Sequence, residues 1–335
     1  MPDGNGIYGP AIPAEIRHVA VLGAGAWGTA LAEATAIAGR RVTLVARDAA
    51  IVTEINRDHR NSAYLGDQPL SLAITASLDL PQADLYILAV PAQQTGAALA
   101  AHATRLAGAA VVLTAKGLEH GSLRRQSEIL AATVPDAVAF VLSGPSFAAD
   151  VAAGRPTAVT LAGDDAELTS HVAAALSGPT FRLYAADDRI GVELAGALKN
   201  VYALACGAVE GAGLGASARA ALIARAFAEL SRLVVAMGGG AHTLTGLAGL
   251  GDLTLSCTSQ QSRNYRYGLA VGRGEDTAGI GLAEGVLTAP VAARLARHHG
   301  IELPLVDAVN HLLAGEAGIT DIVAGLMSRP LRRES

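Results

Sequence analysis

Lys199 and Asn200 interrupt a run of mostly Ala, Leu, Val and Gly in LAGALKNVYALACGAV. Burying a lysine is costly unless it is paired or neutral, and burial lowers its pKa toward the range of a general base. Lys199 is therefore either a proton acceptor or a lysine whose stem lies along apolar surface while its ammonium reaches solvent. Three more segments carry polar residues that local packing does not require. In TAKGL, Lys116 follows a buried strand at its carboxyl end, the side on which doubly wound sheets bind ligands. In SGPSFA, Gly144 and Ser146 offer backbone donors and a hydroxyl suited to an anionic or polyol substrate. In QSRN, Arg263 stands between Ser262 and Asn264, a set able to cradle a phosphate or simply to form a polar surface turn. Asp252, in GLGDL, could orient either Lys199 or a substrate hydroxyl.

A second chemistry is written earlier in the chain. Gly23-Ala24-Gly25-Ala26-Trp27-Gly28 directly follows the apolar stretch HVAVL and opens an Ala/Leu-rich segment that stops at Gly39. In that context Gly23 permits the tight turn and Gly25 lets backbone approach a pyrophosphate. Gly28 lets helix and strand pack closely, with the helix N-terminus facing the anion. At the end of the second strand Val45 is followed by Ala46 and Arg47. Arg47 could fork onto a 2′-phosphate and favour NADPH over NADH, or cap a solvated strand end; Asp48, one residue on, keeps a ribose-binding acid available.

These groups need elements to hold them. Strand-like runs at 18–22, 42–45, 85–90, 110–114, 139–142 and 158–161, mostly separated by helical segments, predict parallel strands joined by right-handed crossovers. Past about Asp188 the pattern becomes helical, at 192–209, 216–237, 290–298 and 305–314. The first two of these helices are apolar on nearly every side, which predicts a packing core and a subunit interface. The predicted organisation is a flexible tail over 1–16, a Rossmann domain over 17–188 and an all-helical substrate domain over 189–335.

Composition sets the outer bounds. The 335 residues exceed one ordinary core and leave room for a cleft between two domains. With 51% hydrophobic and 16% charged residues the chain is globular, and a net charge of −5 offers no general attraction to nucleic acid or anionic lipid, so a bound anion needs a local constellation. Cys206 and Cys257 lack metal-ligand spacing and predict reduced thiols in a cytoplasmic protein. No His/Cys/Asp cluster has ligand spacing, so no metal is expected; His242, His298, His299 and His311 read as surface or packing residues. Neither a basic leader with an apolar core nor an uninterrupted membrane-spanning stretch is evident, so no membrane insertion is expected.

Taken in order, GAGAWGTALA, AKGLE, SGPSFAADVAAGRPTA, ELAGALKNVYALACG, GLAGLGDLTLSCTSQQSRN and AEGV resemble the bacterial NAD(P)-dependent glycerol-3-phosphate dehydrogenase family over roughly residues 17–330. The resemblance implies a helical domain like the C-terminal one of 6-phosphogluconate dehydrogenase, reduction of dihydroxyacetone phosphate to sn-glycerol 3-phosphate for phospholipid backbones, and a homodimer. It implies Lys199 as the base, with Lys116, Gly144, Ser146, Asp252, Ser262, Arg263 and Asn264 also touching substrate. Cofactor contacts would come from Ala26, Trp27, Arg47, Lys116, Ala148, Arg263, Leu282 and Glu284. Leu287 stands where family members often carry arginine. Two rivals remain: a related β-hydroxyacid dehydrogenase acting on a carboxylate, which would not need the Ser262-Arg263-Asn264 cradle, and a non-catalytic NADP(H) sensor, which gives no reason to bury Lys199.

Overall fold

The structure is a computed structural model that describes residues 12–327. Most of the tail expected over 1–16 lies outside the described residues. Within the described part of it, Ile16 is buried in the core and the Pro13 carbonyl lies 3.0 Å from His171 Nε2, so packed structure begins before residue 17. Two compact units are present: 12–115 with 124–193, and 116–123 with 194–327.

The first unit is built on one sheet of eight strands: β1 (His18–Leu22), β2 (Arg41–Val45), β3 (Ile74–Ser77), β4 (Leu85–Leu88), β5 (Ala110–Leu113), β6 (Val138–Ser143), β7 (Thr157–Gly163) and β8 (Phe181–Ala186), in spatial order 3-2-1-4-5-6-7-8. Its helices are α1 (Ala26–Ile37), α2 (Ala49–Asp58), α3 (Ser62–Leu65), α4 (Thr95–Ala101), α5 (Ala103–Leu106), α6 (Gln126–Thr133), α7 (Ala148–Ala152) and α8 (Ala166–Leu176). The order 3-2-1-4-5-6 is that of a dinucleotide-binding sheet, with its switch point between β1 and β4. β4 and β5 are buried at every position, as expected where helices cover both faces of a sheet.

One expectation needs correction, because β7 runs antiparallel to β6 while β8 runs parallel to β7. The only helix between β6 and β7 is the five-residue α7, which spans roughly 7 Å against roughly 20 Å for a six-residue strand. It cannot carry the chain back along the sheet, so the chain re-enters from the end it left. β3 and β8 were not read from the sequence.

The second unit is helical: α9 (Arg189–Gly211, which starts in the first unit), α10 (Gly215–Ala236), α11 (Asp252–Thr258), α12 (Arg263–Arg273), α13 (Glu284–His298), α14 (Pro304–Leu313) and α15 (Ile319–Met327). Every residue from 191 to 209 is buried, so α9, long and apolar enough to cross a membrane, spends that character on a protein core. Each of Leu194, Leu198, Val201 and Leu204 contributes about 1.5–3 kcal/mol by burial. α10 differs from the expectation: it buries Ala226, Leu230, Leu233 and Val234, whereas 215–225 are exposed or half-buried. α13 begins six residues before the expected start and carries Pro290 inside it.

α9 and α12 meet through glycines. A Cβ on Gly207 would lie 2.0 Å from the Tyr265 carbonyl oxygen, and one on Gly211 2.2 Å from that of Leu269. Reciprocally, Gly268 faces the Leu204 oxygen at 1.9 Å and Gly272 the Ala208 oxygen at 2.2 Å. The two helices thus touch backbone to backbone along four glycines spaced one turn apart, and this seam fixes where the N-terminus of α12 stands relative to the middle of α9.

Candidate functional site

Asp252 is the hub of the second unit. A π-helical segment, Leu247–Gly251, leads into α11 and places Asp252 at its first turn, where the side chain is completely buried. Its Oδ2 accepts from Lys116 Nζ at 2.5 Å and its Oδ1 from Lys199 Nζ at 2.8 Å. Lys199 also donates to Ser256 Oγ at 2.7 Å. Ser256 lies one helical turn after Asp252, so carboxylate and hydroxyl share a face of α11 and hold the ammonium together.

The three charges perturb one another. Burial alone would push the Asp252 carboxyl up, but Lys116 and Lys199 more than offset it and hold it below the usual carboxylate range. Burial pulls Lys116 down to about 8; Asp252 opposes the fall and the charge of Lys199 adds to it. Two lysines on one carboxylate carry a net charge of +1 when both are protonated, so giving up one proton leaves a neutral cluster.

A second chain of bonds runs beside the first. Asn200 Nδ2 donates to the Lys116 carbonyl at 3.0 Å, Asn264 Nδ2 donates to Asn200 Oδ1 at 2.9 Å, and the Gly285 N–H donates to Asn264 Oδ1 at 2.8 Å. Ser262 caps α12 by accepting from Tyr265 N at 3.3 Å. Arg263, the first residue of α12, is exposed; Leu282 is exposed and Glu284 half-buried where α13 begins. Thus Lys116, Lys199, Asp252 and Asn264 lie in one bonded system within the second unit. Ser256 was missed because no helix was predicted over 252–258; on α11 the Asp and the Ser four residues apart share a face. Asn200 was noticed without a role.

The remaining candidates belong to the first unit. Gly23 has φ +114°, and a Cβ there would strike the Ala89 carbonyl at 2.7 Å. A Cβ on Gly28 would lie 1.8 Å from the Gly23 oxygen, so α1 packs directly on the loop. Gly25, the N-cap of α1, borders open space: a Cβ would meet nothing within 4 Å. The first-turn amides of α1 have no intrahelical acceptors, and the buried Trp27 Nε1 has no hydrogen-bond partner among the described residues. A donor-rich, open helix start with an unpaired indole N–H beside it fits a dinucleotide pyrophosphate. Arg47 is exposed just past β2. Asp48 caps α2, its Oδ1 accepting from Ala50 N at 2.8 Å. Gly144, with φ +151°, passes 2.8 Å (from its would-be Cβ) from Val159 Cα; Ser146 Oγ donates to the Gly144 carbonyl at 3.0 Å, and half-buried Ala148 starts α7. Cys206 and Cys257 are free and buried, and His242, His298, His299 and His311 are exposed.

Comparison with known proteins covers nearly all of this chain. Residues 18–169 match the family described as NAD-dependent glycerol-3-phosphate dehydrogenase N-terminus, and 188–324 match its C-terminus. The glycerol-3-phosphate dehydrogenase [NAD(P)+] of Brucella ovis is 52% identical over 321 residues, covering 94% of this chain and 98% of that protein. The protein of the same name from Caulobacter vibrioides is 50% identical over 328 residues, covering 95% and 99%. The crystal structure of glycerol-3-phosphate dehydrogenase from Coxiella burnetii superposes with a TM-score of 0.88 at 38% identity, over 95% of this chain and all of that one.

Proposed function

The chain belongs to the NAD-dependent glycerol-3-phosphate dehydrogenase family, and on that footing we propose that it reduces dihydroxyacetone phosphate to sn-glycerol 3-phosphate, reversibly, with NADPH or NADH. The observation that carries the reading is the buried Lys116–Asp252–Lys199 cluster, whose charges have no use in a carrier of cofactor alone. When bound, the reduced nicotinamide supplies the hydride. Gly23, Gly25, Ala26, Trp27, Gly28, Arg47 and Ala148 of the first unit would hold the cofactor, together with Lys116, Arg263, Leu282 and Glu284 of the second.

In the reducing direction Lys199, as ammonium, polarises the C2 carbonyl and delivers its proton to that oxygen as C2 gains hydride; in oxidation, neutral Lys199 takes the proton back from the C2 hydroxyl. Asp252 and Ser256 hold the ammonium in place through two hydrogen bonds. Lys116, with Gly144 and Ser146, contacts the substrate. Ser262, Arg263 and Asn264 hold its phosphate, so that binding far from C2 orients the reacting carbon.

We also take the protein to be a cytoplasmic homodimer supplying glycerophospholipid synthesis. The half-buried Leu222, Ile223 and Phe227 on α10 support the dimer, and the two free thiols support the compartment.

The test is loss of reduced-nicotinamide absorbance with purified protein and dihydroxyacetone phosphate, repeated with NADH and with a carboxylate analogue lacking phosphate. Oxidation that requires the phosphate supports the reading. Oxidation with the carboxylate only, or NADPH binding without turnover, would replace it with the β-hydroxyacid dehydrogenase or the sensor.

A further inference from the structure

Asn61 stands outside every motif described above. It occupies the N-cap position of α3, where an asparagine side chain ordinarily accepts from a first-turn amide. Here it makes no such bond. The side chain is instead turned inward and is completely buried. Its Nδ2 donates to the Ala24 carbonyl at 3.0 Å and to Thr29 Oγ1 at 2.8 Å. Its Oδ1 is buried with no hydrogen-bond partner among the described residues. Asn61 therefore gives up a local cap and leaves an acceptor unpaired, two destabilising choices, and both amide hydrogens go to the glycine loop and the first turns of α1.

The bond to Ala24 has a geometric consequence. That carbonyl belongs to the peptide joining Ala24 to Gly25, and in a planar trans peptide the C=O and N–H point in opposite directions. Holding the Ala24 oxygen toward Asn61 turns the Gly25 N–H away from it. Gly25 is half-buried, and a Cβ there would meet nothing within 4 Å, so the loop has open space beside this peptide at the N-terminus of α1.

We propose that Asn61 is a positioning residue for cofactor binding: through the Ala24 carbonyl it locks the Ala24–Gly25 peptide with the Gly25 N–H presented to the pyrophosphate. The proposal rests on the dinucleotide reading of the glycine loop given above. An aspartate at 61 has the same shape but offers the Ala24 oxygen a carboxylate oxygen in place of N–H, which favours rotation of that peptide. An alanine leaves it unheld. Thr29, in contrast, shares the buried cluster without touching the peptide.

The experiment is a fluorescence titration of NADPH into wild type, Asn61→Asp, Asn61→Ala and Thr29→Val, alongside thermal unfolding and the KM for dihydroxyacetone phosphate. The Asn61 variants should raise the Kd for NADPH about ten-fold, while the KM for dihydroxyacetone phosphate and the NADPH affinity of Thr29→Val stay within about two-fold. Wild type that fails to bind NADPH would sink the cofactor reading itself. Wild-type binding matched by Asn61→Asp, or lost equally in Thr29→Val, would overturn the role of Asn61 alone. Should the Asn61 variants not fold, the wild-type Gly25 amide resonance decides: a downfield shift on adding NADPH supports the proposal, and an unmoved resonance overturns it.

Discussion

The glycine seam between α9 and α12 can be tested by one methyl group. In Gly268→Ala the new Cβ would lie 1.9 Å from the Leu204 carbonyl oxygen, 2.8 Å from its carbon and 2.9 Å from Ala208 N, all backbone atoms of the buried stretch of α9. Ordinary contact begins near 3.4 Å, so α12 must withdraw by roughly 3.4 − 1.9 = 1.5 Å. The Asn264–Asn200 hydrogen bond, now 2.9 Å, then opens beyond hydrogen-bonding range. Overpacking costs about 1–3 kcal/mol and an unpaired buried amide about 1–3 kcal/mol more, for a total of about 2–6 kcal/mol, or roughly 5–20 °C in Tm. Because Asn264 is assigned to substrate phosphate, the KM for dihydroxyacetone phosphate should rise more than kcat falls. Gly279→Ala, where a Cβ meets nothing within 4 Å, is the control and should match wild type. Thermal unfolding and steady-state kinetics of both variants decide. A Gly268→Ala protein with wild-type Tm and KM would show that the seam does not position α12.

Three further outcomes are expected. Asp252→Asn removes the carboxylate shared by two lysines and should lower kcat/KM at least about 100-fold and stability by about 3–5 kcal/mol; since Asp252 opposes the fall of Lys116, the titration of Lys116 at about 8 should move to lower pH in the variant, as a pH titration of the two proteins will read. Glu229, buried in α10 and accepting from Leu305 N at 2.7 Å, is pushed by burial up from 4.5 to about 7. Its folded pKa lies above its unfolded one, so the associated stability is full below 4.5 and lost as pH rises through 7. Glu229→Gln should therefore match wild type at about pH 4 and exceed it by about 3 kcal/mol at about pH 8 in denaturant titrations. Arg47→Ala should weaken NADPH by about 10–100-fold in a binding titration while leaving NADH within about two-fold; equal losses would discredit its contact with a 2′-phosphate.

Much of this was legible in the residues, and the exceptions have physical causes. The β1–loop–α1 unit announces itself because HVAVL, three glycines and an Ala/Leu run are local signals. β3 (ITAS) and β8 (FRLYAA) were missed because each lies at a sheet edge, with exposed positions alternating with buried ones and little apolar run to read. α12 was missed for a different reason: Gly268 and Gly272 share its packing face with Tyr265 and Leu269, so close backbone contact takes the place of part of the apolar periodicity that marks a helix. Pro290 suggested a helix start, yet α13 runs through it. Lys116, Lys199 and Asp252 were each legible as unusual, but their union on one carboxylate joins residues 136 and 53 positions apart, which spacing alone could not reveal. Asp48, offered as a ribose-binding acid, also caps α2 through Oδ1.

The central claim, that Lys199 moves the proton that accompanies hydride transfer at C2, is tested most directly by single-turnover oxidation of bound NADPH in Lys199→Ala with saturating dihydroxyacetone phosphate, after confirming that NADPH binds. A rate reduced by about 100- to 10,000-fold with cofactor affinity near wild type is the predicted result. Turnover at the wild-type rate would remove Lys199 from the chemistry and leave the buried cluster without the role assigned to it.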